Sequence, residues 1–229
     1  MKLENFISTG FYINLDFRTD KNEHMKNLLK KLGLSDVVHR YPAVPAFTSN
    51  KTEYIINDDK KMLAASMACS KSHRNIIEHC KKNNYENVLI FEDDAYFYES
   101  PEYNGIDIVE KALDDLITIP DWQIFYLGTA LHDSEIRLVS EHLVECKEPG
   151  STVAYILNKR SYDRILSQGE ITHIDTFLCR TLTKKFTTYP FSVSQLGSGK
   201  SDLGGHDVLG LDFWKNKYEK PIHRITNGL

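Results

Sequence analysis

No two cysteines in this chain are spaced as CxxC; Cys69, Cys80, Cys146 and Cys179 are scattered. Zinc ligation is therefore not expected, and in an intracellular-looking chain of this size the thiols read as reduced. Neither GxGxxG nor GxxxxGKS/T follows the first apolar stretch, so the common phosphate-cradling loops are missing. No apolar run approaches the ~20 residues that span a bilayer. The opening MKLENFISTG has no long apolar segment of the signal-peptide kind. Net charge is only −4, without the basic excess of a nucleic-acid binder. No internal repeat or low-complexity linker divides the chain. These absences lead us to expect a protein that works in the cytoplasm or a domain excised from a longer chain.

What is present is ordinary globular composition, 41% apolar and 26% charged over 229 residues, enough for one α/β domain with a sizeable core. GFYINLD (Gly10–Asp16) reads as a buried strand. KNEHMKNLLKKLG (Lys21–Gly33) reads as a helix with Met25, Leu28, Leu29 and Leu32 on one stripe and Gly33 as its stop. VVHRYPAV (Val37–Val44) is a second strand, followed by a polar loop from Thr48 to Lys61. Met62 to about Asn83 is a long helix whose stripe is Met62, Ala65, Cys69, Ile76, Ile77 and Cys80. After the next strand, Ile106–Ile119 is an amphipathic helix and Trp122–Thr129 another strand. This alternation predicts a mostly parallel sheet with right-handed crossovers. Beyond it, EIRLVSEHLVECK suggests irregular or antiparallel strands, Ser151–Asn158 a strand, KRSYDRILS a short helix and Thr172–Lys184 a helix. We expect a single domain over 1–229, with a nucleotide-binding half at about 10–129 and an acceptor and sugar half at about 130–229.

The stretch NVLIFEDDAYFY, Asn87 to Tyr98, drives four apolar residues straight into three acids. Carboxylates so close repel one another and resist desolvation, so a cation or full hydration is required there. In extended backbone Glu92 and Asp94 point to one side and Asp93 away. Two such carboxylates at a strand end suit a hard divalent cation. A solvated acidic turn is the plain alternative. Ligands of open parallel sheets bind beyond the carboxyl ends of strands, and Asp16 and the Glu92–Asp94 cluster both sit at such ends.

Several segments together resemble glycosyltransferase family 25, which includes lipooligosaccharide and procollagen galactosyltransferases. YINLDFRTDKNEHMKNLL resembles the family's opening strand and helix, RYPAV its second strand, ACSKSHRNII its SH helix and VLIFEDD its metal strand. GSTVAYILNKRSYDRIL, HIDTFL and VSQLGSGKSDL follow in family order, covering most of residues 10–203. The resemblance implies a GT-A fold, a nucleotide-sugar donor, usually Mn²⁺ (Mg²⁺ being the other candidate), and inversion at the anomeric carbon.

With that resemblance, Asn14, Asp16 and Arg18 are candidates to meet the nucleotide, Asp16 at uracil or ribose and Arg18 at a phosphate, with Asp93 assigned to the donor as well. Tyr41, Pro42, Ala43 and Val44 either line the uracil or close the core. Ser72 and His73 lie on the long helix, and His73, on its buried stripe, reads as a satisfied structural histidine or a ribose or phosphate contact. Gly150 and Ala154 would admit a sugar ring and Tyr155 stack on it; packing alone explains Ala154 equally well. Asp175 is the candidate base for the acceptor hydroxyl; Thr172-x-x-Asp175 also fits a capping box. In the tail, Lys200 is a candidate to screen the diphosphate and His206 to ligate metal, alongside Asp202 and Asp207. The expected activity is metal-dependent inverting transfer of galactose or glucose from a UDP-sugar to a hydroxyl on a glycan or glycoprotein. Rival readings are a metal-dependent nucleotidyltransferase or phosphohydrolase, and an inert sugar-binding domain.

Overall fold

The computed structural model describes residues 1–46, 59–131, 136–196 and 215, with side chains at 59–61 excluded. The chain opens with a short helix α1 (Leu3–Phe6), strand β1 (Thr9–Asn14), helix α2 (Thr19–Leu32), strand β2 (Val38–Pro42) and helix α3 (Asp59–Lys82). Strands β3 (Asn87–Glu92) and β4 (Ala95–Phe97), helix α4 (Gly105–Leu116) and strand β5 (Ile124–Leu131) follow. The second half holds β6 (Ile136–Leu138), β7 (Leu143–Cys146), β8 (Pro149–Asn158), α5 (Tyr162–Leu166), α6 (Ile174–Thr181), β9 (Lys185–Thr188) and β10 (Val193–Gln195).

Local signals account for the helix ends. Gly33 ends α2 with φ of 71°, donating its N–H to the Leu29 and Lys30 carbonyls, a left-handed cap that glycine adopts without strain. Asn104 starts α4 by accepting from the Ile106 N–H. On α3 the apolar stripe is buried at Ala65, Ile76, Ile77 and Cys80, but Met62, expected on it, is exposed.

Eight strands form one sheet in the order β2-β1-β3-β8-β5-β9-β7-β6, and β4 pairs with β10 apart from it. The pairs β1/β2, β1/β3 and β5/β9 are parallel. Strand β8 runs antiparallel between β3 and β5, and β7 runs antiparallel to both β9 and β6. The expected mostly parallel α/β sheet is thus present, with β7 and β8 reversed. The strand expected at Ser151–Asn158 is present as part of β8, which sits between β3 and β5 and is buried without interruption from Thr152 to Asn158.

Strand alternation sorts the core into two layers. Tyr12, Leu89, Phe91 and Ile156 face α1, α2 and α4. Phe11, Ile13, Val88, Ile90, Tyr155 and Leu157 face α3, α5 and α6. Both faces of the sheet are covered, which explains why its central strands are continuous apolar runs. Among the described residues no helix is long and apolar enough to cross a membrane.

Candidate functional site

Strands β1 and β3 end side by side, with Ile13 opposite Glu92 in the register. The parity that sends Val88 and Ile90 toward α3 sends Glu92 there too. Its Oε1 accepts a 2.7 Å hydrogen bond from Thr152 Oγ1 on β8 and lies 3.8 Å from His73 Nε2 on α3.

The alternation stops at Glu92, because Asp93 and Asp94 form the turn into β4. Asp93 therefore does not point away from its neighbours, as extended backbone predicted. Lys21 Nζ lies 3.1 Å from Asp93 Oδ1 and 3.1 Å from Asp94 Oδ2. This is the cation that the acidic run required. Asn14, buried at the end of β1, donates from Nδ2 to Asp93 Oδ2 at 2.7 Å and accepts from Arg40 Nε at 2.9 Å.

Electrostatics separate the three acids. Burial, then repulsion by Asp94, pushes the Glu92 carboxyl well above the usual range. Burial also raises Asp93, against the pull of Lys21. Asp94 Oδ2 is occupied by Lys21, while its Oδ1 is buried with no hydrogen-bond partner among the described residues. A carboxylate oxygen left that way is costly unless something satisfies it. The donor set of Glu92 and Asp94, all oxygen, fits a hard cation such as Mn²⁺ or Mg²⁺.

The three acids and Lys21 line a partly open cleft walled also by Ile13, Leu15, Ala43, Val44, Cys69, Ser72 and Gln195. Ser72 shapes that wall: its hydroxyl donates to the Ala68 carbonyl and accepts from the Val44 N–H, both at 2.8 Å. Of the candidate residues, Ala43, Val44, Ser72, Glu92, Asp93 and Asp94 line this one cleft.

Other candidates fall elsewhere. Asp16 is highly exposed and pairs with Arg40 at 2.6 Å; Arg18 forks onto Asp20 at 2.9 and 2.8 Å. Neither lines the cleft. Gly150 accepts from Thr129 Oγ1 at 2.6 Å, also away from the cleft. Tyr155 is fully buried, stacked on the His73 ring at 5.8 Å, so it has no face to offer a sugar; this corrects its stacking role. Ala154 is equally buried, inside the sheet. The capping box at Thr172 is also corrected: His173 occupies the N-cap without a side-chain cap bond, and Asp175 Oδ1 accepts from the Thr176 N–H at 2.7 Å. Asp175 is half-buried, and its charge helps raise the Cys69 thiol. Its helix packs on α3, where Ser70 Oγ donates to the Thr172 carbonyl at 3.1 Å. Lys200, Asp202, His206 and Asp207 lie outside the described residues, as does the polar loop expected from Thr48 to Lys61 as far as residue 58; its last three positions, 59–61, instead belong to the start of α3.

Sequence reasoning missed Lys21, Thr152 and Gln195. Lys21 was visible as the first lysine of α2, but nothing local marked it rather than Arg18 as the partner of the acids. Of the two readings of His73, a satisfied structural histidine or a ribose or phosphate contact, the first holds only at Nδ1, 2.8 Å from the Tyr155 hydroxyl; its Nε2 is buried with no hydrogen-bond partner among the described residues. The pair with Glu92 is within ion-pair distance, yet burial pushes the imidazole pKa down to about 3 and keeps it neutral.

Residues 7–174 match the family model described as glycosyltransferase family 25 (LPS biosynthesis protein). A protein of Anopheles gambiae described as a glycosyltransferase 25 family member is 26% identical, over 73% of this chain and 30% of that protein. The chain thus spans under a third of that relative's length. A glycosyltransferase involved in the glycosylation of the major capsid of PBCV-1 aligns with TM-score 0.45 and 12% identity, covering 78% of this chain and 80% of that one. A UDP-glucose pyrophosphorylase complexed with UDP-glucose aligns with TM-score 0.43 and 9% identity, covering 82% and 76%. Neither structural likeness bears on the chemistry of the cleft.

Proposed function

The chain belongs to glycosyltransferase family 25, and from that premise we propose that it transfers a hexose, galactose or glucose, from a UDP-sugar to a hydroxyl of a glycan or glycoprotein, with inversion and with a divalent metal. The observation that carries this reading is Asp94 Oδ1, buried and with no hydrogen-bond partner among the described residues, on a cleft that Glu92 also lines. Glu92 and Asp94 would hold Mn²⁺ or Mg²⁺. Bound there, the cation would neutralise the diphosphate as it departs.

The chain's own groups do the rest. Lys21 adds a second positive charge where the diphosphate lies. Ile13, Leu15, Ala43 and Val44 supply an apolar wall for the base, with Val44 held in place by Ser72. Asp175 takes the proton of the acceptor hydroxyl as that oxygen bonds to the anomeric carbon and the bond to the UDP oxygen breaks. An inverting transfer needs no covalent enzyme intermediate. Lys200 and His206 are proposed as further diphosphate and metal contacts.

The test is a donor screen. Purified protein is incubated with Mn²⁺, a panel of nucleotide sugars and glycan acceptors, and free nucleotide is measured with and without EDTA. UDP release from one UDP-hexose, abolished by EDTA, is expected. Release from no nucleotide sugar overturns the transferase reading, and release indifferent to EDTA overturns the metal.

A further inference from the structure

We propose that Cys69, His73 and Glu92 form a binding site for a borderline-soft divalent cation of the Zn²⁺ class, built on the same Glu92 that the hard-cation reading uses. Cys69 and His73 stand one turn apart on α3, at i and i+4, and so share a face. Glu92 reaches the same place from the end of β3. One ligating atom from each lies within 4.8 Å of the other two.

The state of His73 carries the inference. Its side chain is fully buried, and Nε2 has no hydrogen-bond partner among the described residues. That nitrogen lies 3.8 Å from Glu92 Oε1. The other nitrogen, Nδ1, is tied to the Tyr155 hydroxyl at 2.8 Å, and the ring is clamped against Tyr155 with 19° between planes. A histidine with one nitrogen tethered and the other presented bare is the usual arrangement of a metal ligand. The tautomer that suits it has Nδ1–H donating to the Tyr155 oxygen, leaving the Nε2 lone pair for the cation.

Bond lengths fit as well. Zinc holds thiolate sulfur at ~2.3 Å and nitrogen or carboxylate oxygen at ~2.0–2.2 Å. Tetrahedral angles then separate ligand atoms by roughly 3.3–3.7 Å. The His73–Glu92 separation of 3.8 Å is already close to that. The Cys69 sulfur lies within 4.8 Å of the other two ligating atoms, and Cys69 borders the open cleft. Thiolate, imidazole and carboxylate together favour zinc over Mn²⁺ or Mg²⁺. All three residues line the cleft, so the fourth position opens onto it for water or a ligand oxygen. Without a cation, burial and the charges of Glu92 and Asp175 keep the thiol protonated. On binding, the thiol proton leaves to solvent and a sulfur–metal bond forms. No electron transfer is involved. Because Glu92 serves both sites, zinc here withdraws a ligand from the hard cation; only this consequence rests on the proposed function.

The test titrates metal-free protein with Co²⁺, a spectroscopic substitute for zinc, in wild type, Cys69→Ser and Asp94→Asn. One equivalent is expected to produce a thiolate-to-cobalt charge-transfer band in the near ultraviolet, displaced by Zn²⁺. Cys69→Ser should lose the band and bind at least ~10-fold more weakly. Asp94→Asn should keep it while losing Mn²⁺-dependent UDP binding. A missing band in folded wild type, or an undiminished band in Cys69→Ser, overturns the site. If the band forms in wild type but Mn²⁺ never affects UDP binding, the hard-cation reading fails and this site stands. If Mn²⁺ supports UDP binding and no band forms, the reverse holds.

Discussion

Lys21 Nζ stands 3.1 Å from Asp94 Oδ2 and the same distance from Asp93 Oδ1, one ammonium shared by two carboxylates. All three side chains are at most 16% exposed. This shared ion pair, linking the start of α2 to the turn after β3, lets a buried strand end in acids.

Lys21→Met leaves two carboxylates in repulsion with little water. Removing one partner of a buried pair costs about 3–5 kcal/mol, and we expect the low end here because the cleft admits some solvent. A divalent cation replaces part of the missing charge, so Mn²⁺ should stabilise the variant more than the wild type. Denaturant unfolding with Mn²⁺ and with EDTA measures both effects. A variant as stable as wild type in EDTA would show that the pair is solvated and unimportant.

Asp94→Ala should separate metal-dependent from metal-independent nucleotide binding. In calorimetry with Mn²⁺, UDP affinity is expected to fall about 10-fold or more, the loss of roughly 1.4 kcal/mol or greater. In EDTA the two proteins should bind UDP alike. Equal affinities in all four titrations would remove Asp94 from the metal site.

Asp175→Asn should abolish transfer without unfolding the protein. The capping role that competed with catalysis is not used through Thr172, and the amide oxygen can still accept from Thr176 N–H. Loss of a general base costs about 10²–10⁴-fold in rate. We expect kcat to drop by that factor with melting temperature and UDP affinity nearly unchanged. Turnover within a few-fold of wild type would move the base to Asp202, His206 or Asp207.

Gly128→Ala tests how the small sheet is seated. An added Cβ would stand 1.9 Å from the Val193 carbonyl oxygen and 2.6 Å from its carbon. Strand β5 or β10 must therefore move, and overpacking of this kind costs about 1–3 kcal/mol or more. Strand β10 also carries Gln195, a cleft residue. The variant should lose stability and bind UDP more weakly, read by a thermal melt beside calorimetry. An unchanged melt would show that β10 is only loosely docked.

Much of this was legible locally. The α2 stripe and its Gly33 stop, the buried β1 and β3, and the strand–helix alternation of the first half follow from periodicity and turn chemistry, which act over a few residues. The acidic run after β3 announced a charged site and even the need for a cation. The helical spacing of Cys69 and His73 was equally visible.

What the chain could not reveal locally is which segments become neighbours. Strand alternation held through Glu92 and then failed, because the chain turns there to pair β4 with β10, a partner about a hundred residues away. Reading Tyr155 as a sugar platform failed for the same reason: β8 enters the middle of the sheet, between β3 and β5, and buries that ring against His73. The third ligand beside Cys69 and His73 comes from another element, as does the lysine beside Asp94. Periodicity says which side of a strand a residue occupies; only the pairing order, set by long-range burial of both sheet faces, decides what waits on that side.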